Sequence, residues 1–365
     1  MRTSRLLRCR AWAAGALTVA VAGAGLALSA GTASASTRAP VSGVTWHRIT
    51  GINGWHSAES RYSTGNPSWA VKGGVVYLSG SILRSTGTSA LFGVLPTQAR
   101  PSHKMWFTVY TLDDTTGTVY IYPSGQMFVS STPVGNANGF TSLAAVSFPV
   151  KSSAHTTLTL LNGWHSEQST YQSGDPSYTV KGGVVYLSGS LATSGTSDQF
   201  AVLPRAARPA HVEYITVYTF TGTHGTLELD PNGAALAYSG LTTSFTSLAG
   251  VSYPVASAVR HKLTLRNGWH SEQSVWNSGD PAYSVSGGVV SLSGSLATTG
   301  SNEAFAVLPA GARPAHDLYI KVYTYGSSVG TVLIEPSGVM FAYGPGAVNA
   351  RKFTSLAAIS YPLKS

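Results

Sequence analysis

The side chains best suited to chemistry in this sequence are tryptophan–histidine steps that recur along it: Trp55–His56, Trp164–His165 and Trp269–His270. An indole can stack on the apolar face of a pyranose while an imidazole hydrogen-bonds its hydroxyls, so the step suits saccharide recognition. Each tryptophan also follows an Asn-Gly turn, and a large aromatic there fits a core equally well. A second set, Tyr62, Tyr171 and Trp276, is embedded in Ser, Thr, Gln and Asn. That setting predicts exposed rings on binding loops, whereas Trp69, Tyr178 and Tyr283, which follow a Gly-Asn/Asp-Pro turn, fit the interior. A third set is Arg100, Arg208 and Arg313, each followed by proline and then by His103, His211 or His316. An arginine at such a turn holds either the carboxylate of an acidic glycan or a backbone carbonyl. Three equivalent histidines near an axis would suit a metal, but no spacing fixes a ligand set, and no metal or cofactor is expected.

Catalysis finds less support. The chain has no His-Glu-x-x-His helix and no P-loop. Acids do not persist at matching positions: Glu59 aligns with Gln168, and Asp230 and Glu335 align with Tyr122. A glycosidase needs two carboxylates flanking the scissile bond, so the expectation is a protein that is not an enzyme.

The first residues bear on charge and compartment. Arg2, Arg5, Arg8 and Arg10 precede an Ala/Leu/Val/Gly run that extends to Ala30, and Ala33-Ser34-Ala35 offers a cleavage site. Residues 1–35 are thus expected to be a secretory signal peptide and 36–45 a loose leader, with release outside the cell and no membrane association after cleavage. Removing 1–35 takes four arginines and no acid, leaving 19 basic and 14 acidic side chains, a net +5. Such thinly spread charge does not favour nucleic acid as a partner. The single cysteine, Cys9, leaves with the signal, which excludes disulfides and thiolate chemistry.

The elements that must position these residues come in three copies. Asn53-Gly54-Trp55-His56 returns at Asn162 and Asn267, spacings of 109 and 105 residues, and Gly73-Gly74-Val75-Val76 returns in register at Gly182 and Gly287. Units of this length are too long for a solenoid repeat and should each hold a core. Runs such as Val184-Val185-Tyr186-Leu187 and Tyr214-Ile215-Thr216-Val217-Tyr218 read as strands, and Pro123-Ser124-Gly125, Pro231-Asn232-Gly233 and Pro336-Ser337-Gly338 as hairpin turns. The expected fold is all-β: three tandem antiparallel β-sandwich repeats over 46–152, 153–258 and 259–365. The linkers are brief, so the copies either close around a pseudo-threefold axis or run as beads in a row.

The order Asn-Gly-Trp, Gly-Gly-Val-Val-Tyr-Leu-Ser-Gly, Leu-Pro-x-x-x-Arg-Pro, Pro-x-Gly and a final Ser-Leu-x-x-Ile/Val-Ser-Phe/Tyr resembles the C-terminal head domain of bacteriophage tail-fibre and baseplate receptor-binding proteins. The resemblance covers all three copies, although this chain has no fibre shaft. It implies a lectin-like sandwich and recognition of cell-surface saccharides at a threefold assembly, here a monomer with an internal pseudo-trimer. Repetition favours several equal binding sites over one catalytic constellation. The expected function is therefore multivalent binding of glycans or cell-envelope polymers; the alternative is an extracellular structural or protein-interaction module.

Overall fold

Strand alternation and turn residues give each copy two facing sheets. The computed structural model describes residues 44–131, 134–344 and 348–363; the expected signal peptide and most of the leader lie outside the described residues. In the first copy a four-stranded sheet runs in the order His47–Arg48, Ser68–Lys72, Val75–Ser79, Ser147–Pro149. Opposite it, a seven-stranded sheet runs Trp55–Ser57, Ser81–Arg84, Thr141–Ser142, Met105–Thr111, Thr115–Ile121, Gln126–Ser131, Leu91–Val94. The third copy repeats both sheets. In the second, the larger sheet is split into three and four strands, with only an isolated bridge between Thr219 and Thr246 where the other copies pair Thr111 with Thr141 and Thr324 with Thr354. The fold is all-β, as the alternation predicts.

Period-two burial explains which faces meet. Val119, Ile121, Met127 and Val129 of the large sheet point into one cluster with Val76 and Leu78 of the small sheet, and Phe92 seals it at 0% exposure. Phe200 and Phe305 hold the same place in the other copies. Removing such a ring costs ~3–5 kcal/mol, so each copy has its own source of stability. One-turn helices, Glu59–Tyr62, Gln168–Tyr171 and Gln273–Trp276, replace the loop expected after Trp-His. Four residues are too few to show a helical period in sequence.

The copies close on one another. Strands Met105–Thr111, Glu213–Tyr218 and Leu318–Thr324 each contact the other two. Lys104 N–H donates to Gln172 O at 2.9 Å, Val212 N–H to Asn277 O at 3.0 Å and Asp317 N–H to Ser63 O at 3.1 Å. These are equivalent bonds from copy one to two, two to three and three back to one. The arrangement is a ring with pseudo-threefold symmetry, not a row.

Candidate functional site

The tryptophans of the Trp-His steps are structural. Asn53, Asn162 and Asn267 adopt φ of 55°, 56° and 55°, a left-handed turn that Asn tolerates and that delivers the next side chain inward. Trp55, Trp164 and Trp269 are 3%, 5% and 5% exposed, and their indole N–H groups donate to Ser89 O, Ser197 O and Asn302 O. With faces covered and N–H used, these rings cannot stack on a sugar, which corrects that expectation. His56, His165 and His270 do remain exposed; the latter two lie 3.2 Å from Glu167 and Glu272.

Arg100, Arg208 and Arg313 take the carbonyl role. Their Nε atoms donate to Leu95 O at 3.1 Å, Leu203 O at 3.0 Å and Leu308 O at 3.0 Å. The guanidinium lies over the hairpin glycine: a Cβ on Gly125 would be 2.4 Å from Leu95 O and 2.9 Å from Arg100 Nε. Arginine thus pins two turns together through its Nε, the backbone-carbonyl role of the two expected.

Tyr62, Tyr171 and Trp276 are half-buried in the contacts between copies, not displayed on loops. Tyr171 meets Phe245 at 4.7 Å and Trp106 of the preceding copy at 6.3 Å; Trp276 meets Phe353 at 5.3 Å and Tyr214 at 6.0 Å. Tyr62 lies 4.2 Å from Phe140, whose other ring neighbours are Tyr319 at 5.6 Å and Tyr110 at 5.7 Å. Their polar sequence neighbours face solvent, but each ring turns into an aromatic cluster shared by two copies. Such clusters contribute ~0.5–1.5 kcal/mol per pair beyond area burial, so these residues hold the ring together.

The histidines after Arg-Pro sit in the same contacts and were not read as contact residues. Gly174, Gly279 and Gly65 adopt φ of 73°, 77° and 73°, and a Cβ on any of them would lie 2.5 Å from the ring of His103, His211 or His316 of the preceding copy. Each histidine therefore occupies its own contact, and among the described residues no group of three metal-ligating side chains forms. His103 Nε2 lies 2.6 Å from Ser188 Oγ, and burial lowers its pKa to about 4.

The three contacts differ where the chain passes from one copy to the next. Strand pairing places Trp46, His155 and Arg260 at one position and Met105, Glu213 and Leu318 at another. At the second contact Arg260 lies near Glu213, a fully buried carboxyl that desolvation raises to about 8 despite the guanidinium. Arg260 also donates to the carbonyls of Pro254, Val255, Ala256 and Ala258, fixing the linker. At the first contact the linker is held by Lys151 N–H on Arg100 O.

No linker crosses the third contact, between copies three and one, and a cavity of about 230 Å³ opens there. Its walls include the half-buried Trp46 and an edge of the buried Tyr77, with Glu59, Asn66, Ser68 and His316 as polar groups. Trp46 packs against a cluster of Val75, Tyr77, Val184, Tyr186 and Val289, in which the two tyrosine hydroxyls bond at 2.7 Å. At the equivalent register the third copy has Ser291, whose buried hydroxyl has no partner. Sequence reading missed Trp46 because its equivalents are His and Arg: a repeat search registers what the copies share.

No family model matches the chain, including any for phage tail-fibre heads, and no curated protein matches. Among solved structures, the BP39L lectin from Burkholderia pseudomallei is similar at 13% identity over 82% of each chain, with a TM-score of 0.14. A score that low carries no argument.

Proposed function

We propose that this protein is an exported, non-catalytic carbohydrate-binding protein whose site is the cavity between the third and first copies. The observation that carries the reading is the composition of that cavity: an indole and a phenol beside a carboxylate, an amide, a hydroxyl and an imidazole, enclosing about 230 Å³. A pyranose is amphipathic in the same way, with an apolar face to stack and hydroxyls to bond. The volume is below the usual ~300–1,000 Å³ of drug-sized sites, which suits one sugar ring at a chain end. The expected multivalency gives way to a single site of this kind per chain, since linkers cross the other two contacts. Secretion and lack of catalysis rest on the sequence, through the signal-like residues 1–35 and the unpaired acids.

A neutral glycan array followed by titration calorimetry tests this. Trp46→Ala is expected to weaken binding of the best neutral saccharide about tenfold or more, the loss of one aromatic stack. No neutral saccharide bound, or one bound equally by Trp46→Ala, overturns the reading and favours the structural alternative.

A further inference from the structure

The outward face of the first copy's large sheet carries a feature that its counterparts lack. Lys104 Nζ lies 4.5 Å from the centre of the Trp106 ring, 4.6 Å from Tyr122 and 5.6 Å from Tyr120. Tyr120 stacks with Phe128 at 5.1 Å and 3° between planes, and Tyr122 meets Phe128 edge-on at 5.4 Å. Lys104, Tyr120, Tyr122 and Phe128 are each half-exposed. Among the described residues no carboxylate lies within ion-pair distance of Lys104. The ammonium is held by ring faces, which occupy none of its three N–H donors as a carboxylate would.

Strand register shows how the other copies finish the same positions. Lys104 corresponds to Val212 and Asp317 by their shared hydrogen bonds across the contacts. Tyr120 corresponds to Glu228 and Leu333, opposite Trp106, Tyr214 and Tyr319. Tyr122 corresponds to Asp230 and Glu335 at the hairpin turn, and Phe128 to Leu236 and Phe341. One copy thus presents a cation among four aromatic rings, while the other two present acids there. The four residues are part-exposed, so this difference lies where solvent and ligands reach.

We propose that the shelf of Lys104, Tyr120, Tyr122 and Phe128 binds an acidic saccharide, a chain bearing uronate carboxylates. Lys104 supplies the point charge and donors for a carboxylate, and the rings supply apolar faces for the pyranoses on either side of it. The acids at the same positions of the second and third copies repel such a ligand, so there is one shelf per chain. Rigid rings match the flat, stiff faces of sugars better than an acidic peptide, whose charged side chains offer little apolar surface. The inference shares the carbohydrate reading above but stands on different residues, so the two fail separately.

The test is titration of the full chain with trigalacturonate and with its carboxyl-reduced, neutral form. The acid trisaccharide is expected to bind at least tenfold more tightly than the reduced one, and more weakly as salt rises. Lys104→Gln and Tyr122→Ala should each lose about tenfold or more, Lys104→Arg should keep binding within a few-fold, and Trp46→Ala should leave it unchanged. Unaltered melting of Lys104→Gln checks its fold. Absence of trigalacturonate binding, equal binding of the reduced form, or full binding by Lys104→Gln overturns the proposal. Competition by polyglutamate as strong as by the uronate also overturns it, assigning the shelf to acidic protein. Loss of neutral-sugar binding in Trp46→Ala with the shelf silent would leave the cavity reading standing alone.

Discussion

The contact between copies one and two and the contact between copies two and three share a frame and a histidine whose pKa burial lowers, His103 and His211, but the second also holds a buried carboxyl that responds to protons in the opposite sense. In both, a histidine ring sits on a glycine of the next copy and an aromatic cluster seals the side. At the first, His103 is kept neutral, its pKa lowered by burial and by His155 to about 4. At the second, Glu213 is kept protonated, its carboxyl raised by burial to about 8 beside Arg260. Covalent fusion explains how such divergence is tolerated. A homotrimer must use one residue at all three positions, whereas a single chain can fill each differently.

The largest expected effect separates these contacts by pH. Between about 4 and the ordinary imidazole value of 6.5 the unfolded chain binds a proton at residue 103 that the folded chain refuses, so stability is lost as pH falls through that window. Between 4.5 and about 8 the folded chain keeps a proton at residue 213 that the unfolded chain releases, so stability is lost as pH rises. The first window is worth on the order of 3 kcal/mol and the second on the order of 5 kcal/mol. Urea midpoints measured from pH 4 to 9 should show His103→Gln with a flatter acid limb and Glu213→Gln with a flatter alkaline limb. His224, also lowered to about 4 by burial and by Lys321, shares the acid sign and leaves part of that limb in His103→Gln. If both variants alter the same limb, or neither alters any, the contrast fails.

What could be read from sequence follows the same division. Asn-Gly-Trp, Arg-Pro and Pro-x-Gly recur because a left-handed turn, a carbonyl clamp and a hairpin are needed wherever the sandwich is built, so repetition showed the fold. Repetition then misled about the site, because the shared aromatics Trp55 and Tyr171 are shared for packing. Trp46, Lys104 and Glu213 stand where the copies disagree, and only strand register shows that Trp46 answers to Arg260 or Lys104 to Asp317. Tyr62 was misplaced because neighbours in sequence do not reveal that a second copy covers the ring.

The shared part of the frame is tested by glycines at two kinds of place. Gly65, Gly174 and Gly279 have positive φ and a histidine ring in the way of a Cβ, whereas Gly73, Gly182 and Gly287 have positive φ and nothing within 4 Å. Alanine at the first three should cost ~2–3 kcal/mol each, strain plus collision, and at the second three ~1 kcal/mol, strain alone. Denaturant midpoints for the six variants measure this. Equal costs at both kinds of site would mean that the histidine contact is loose.

The smallest effect concerns the third contact. Lys321, fully buried, donates to Asp114 Oδ1 at 2.7 Å and to its backbone oxygen, joining copies three and one; Thr108 and Thr216 occupy the lysine's position in the other copies. Desolvation opposes the charge, and Asp114 at 19% exposure retains some water, so the pair is a modest source of stability. Lys321→Thr alone should cost ~1–2 kcal/mol, because it strands a half-buried carboxylate. Adding Asp114→Ser, with the hydroxyl that Ser327 already supplies in the third copy, should recover most of that loss. A double variant as unstable as the single would show that the lysine's packing between the sheets matters rather than its charge, and would place this contact with the first two as a matter of shape.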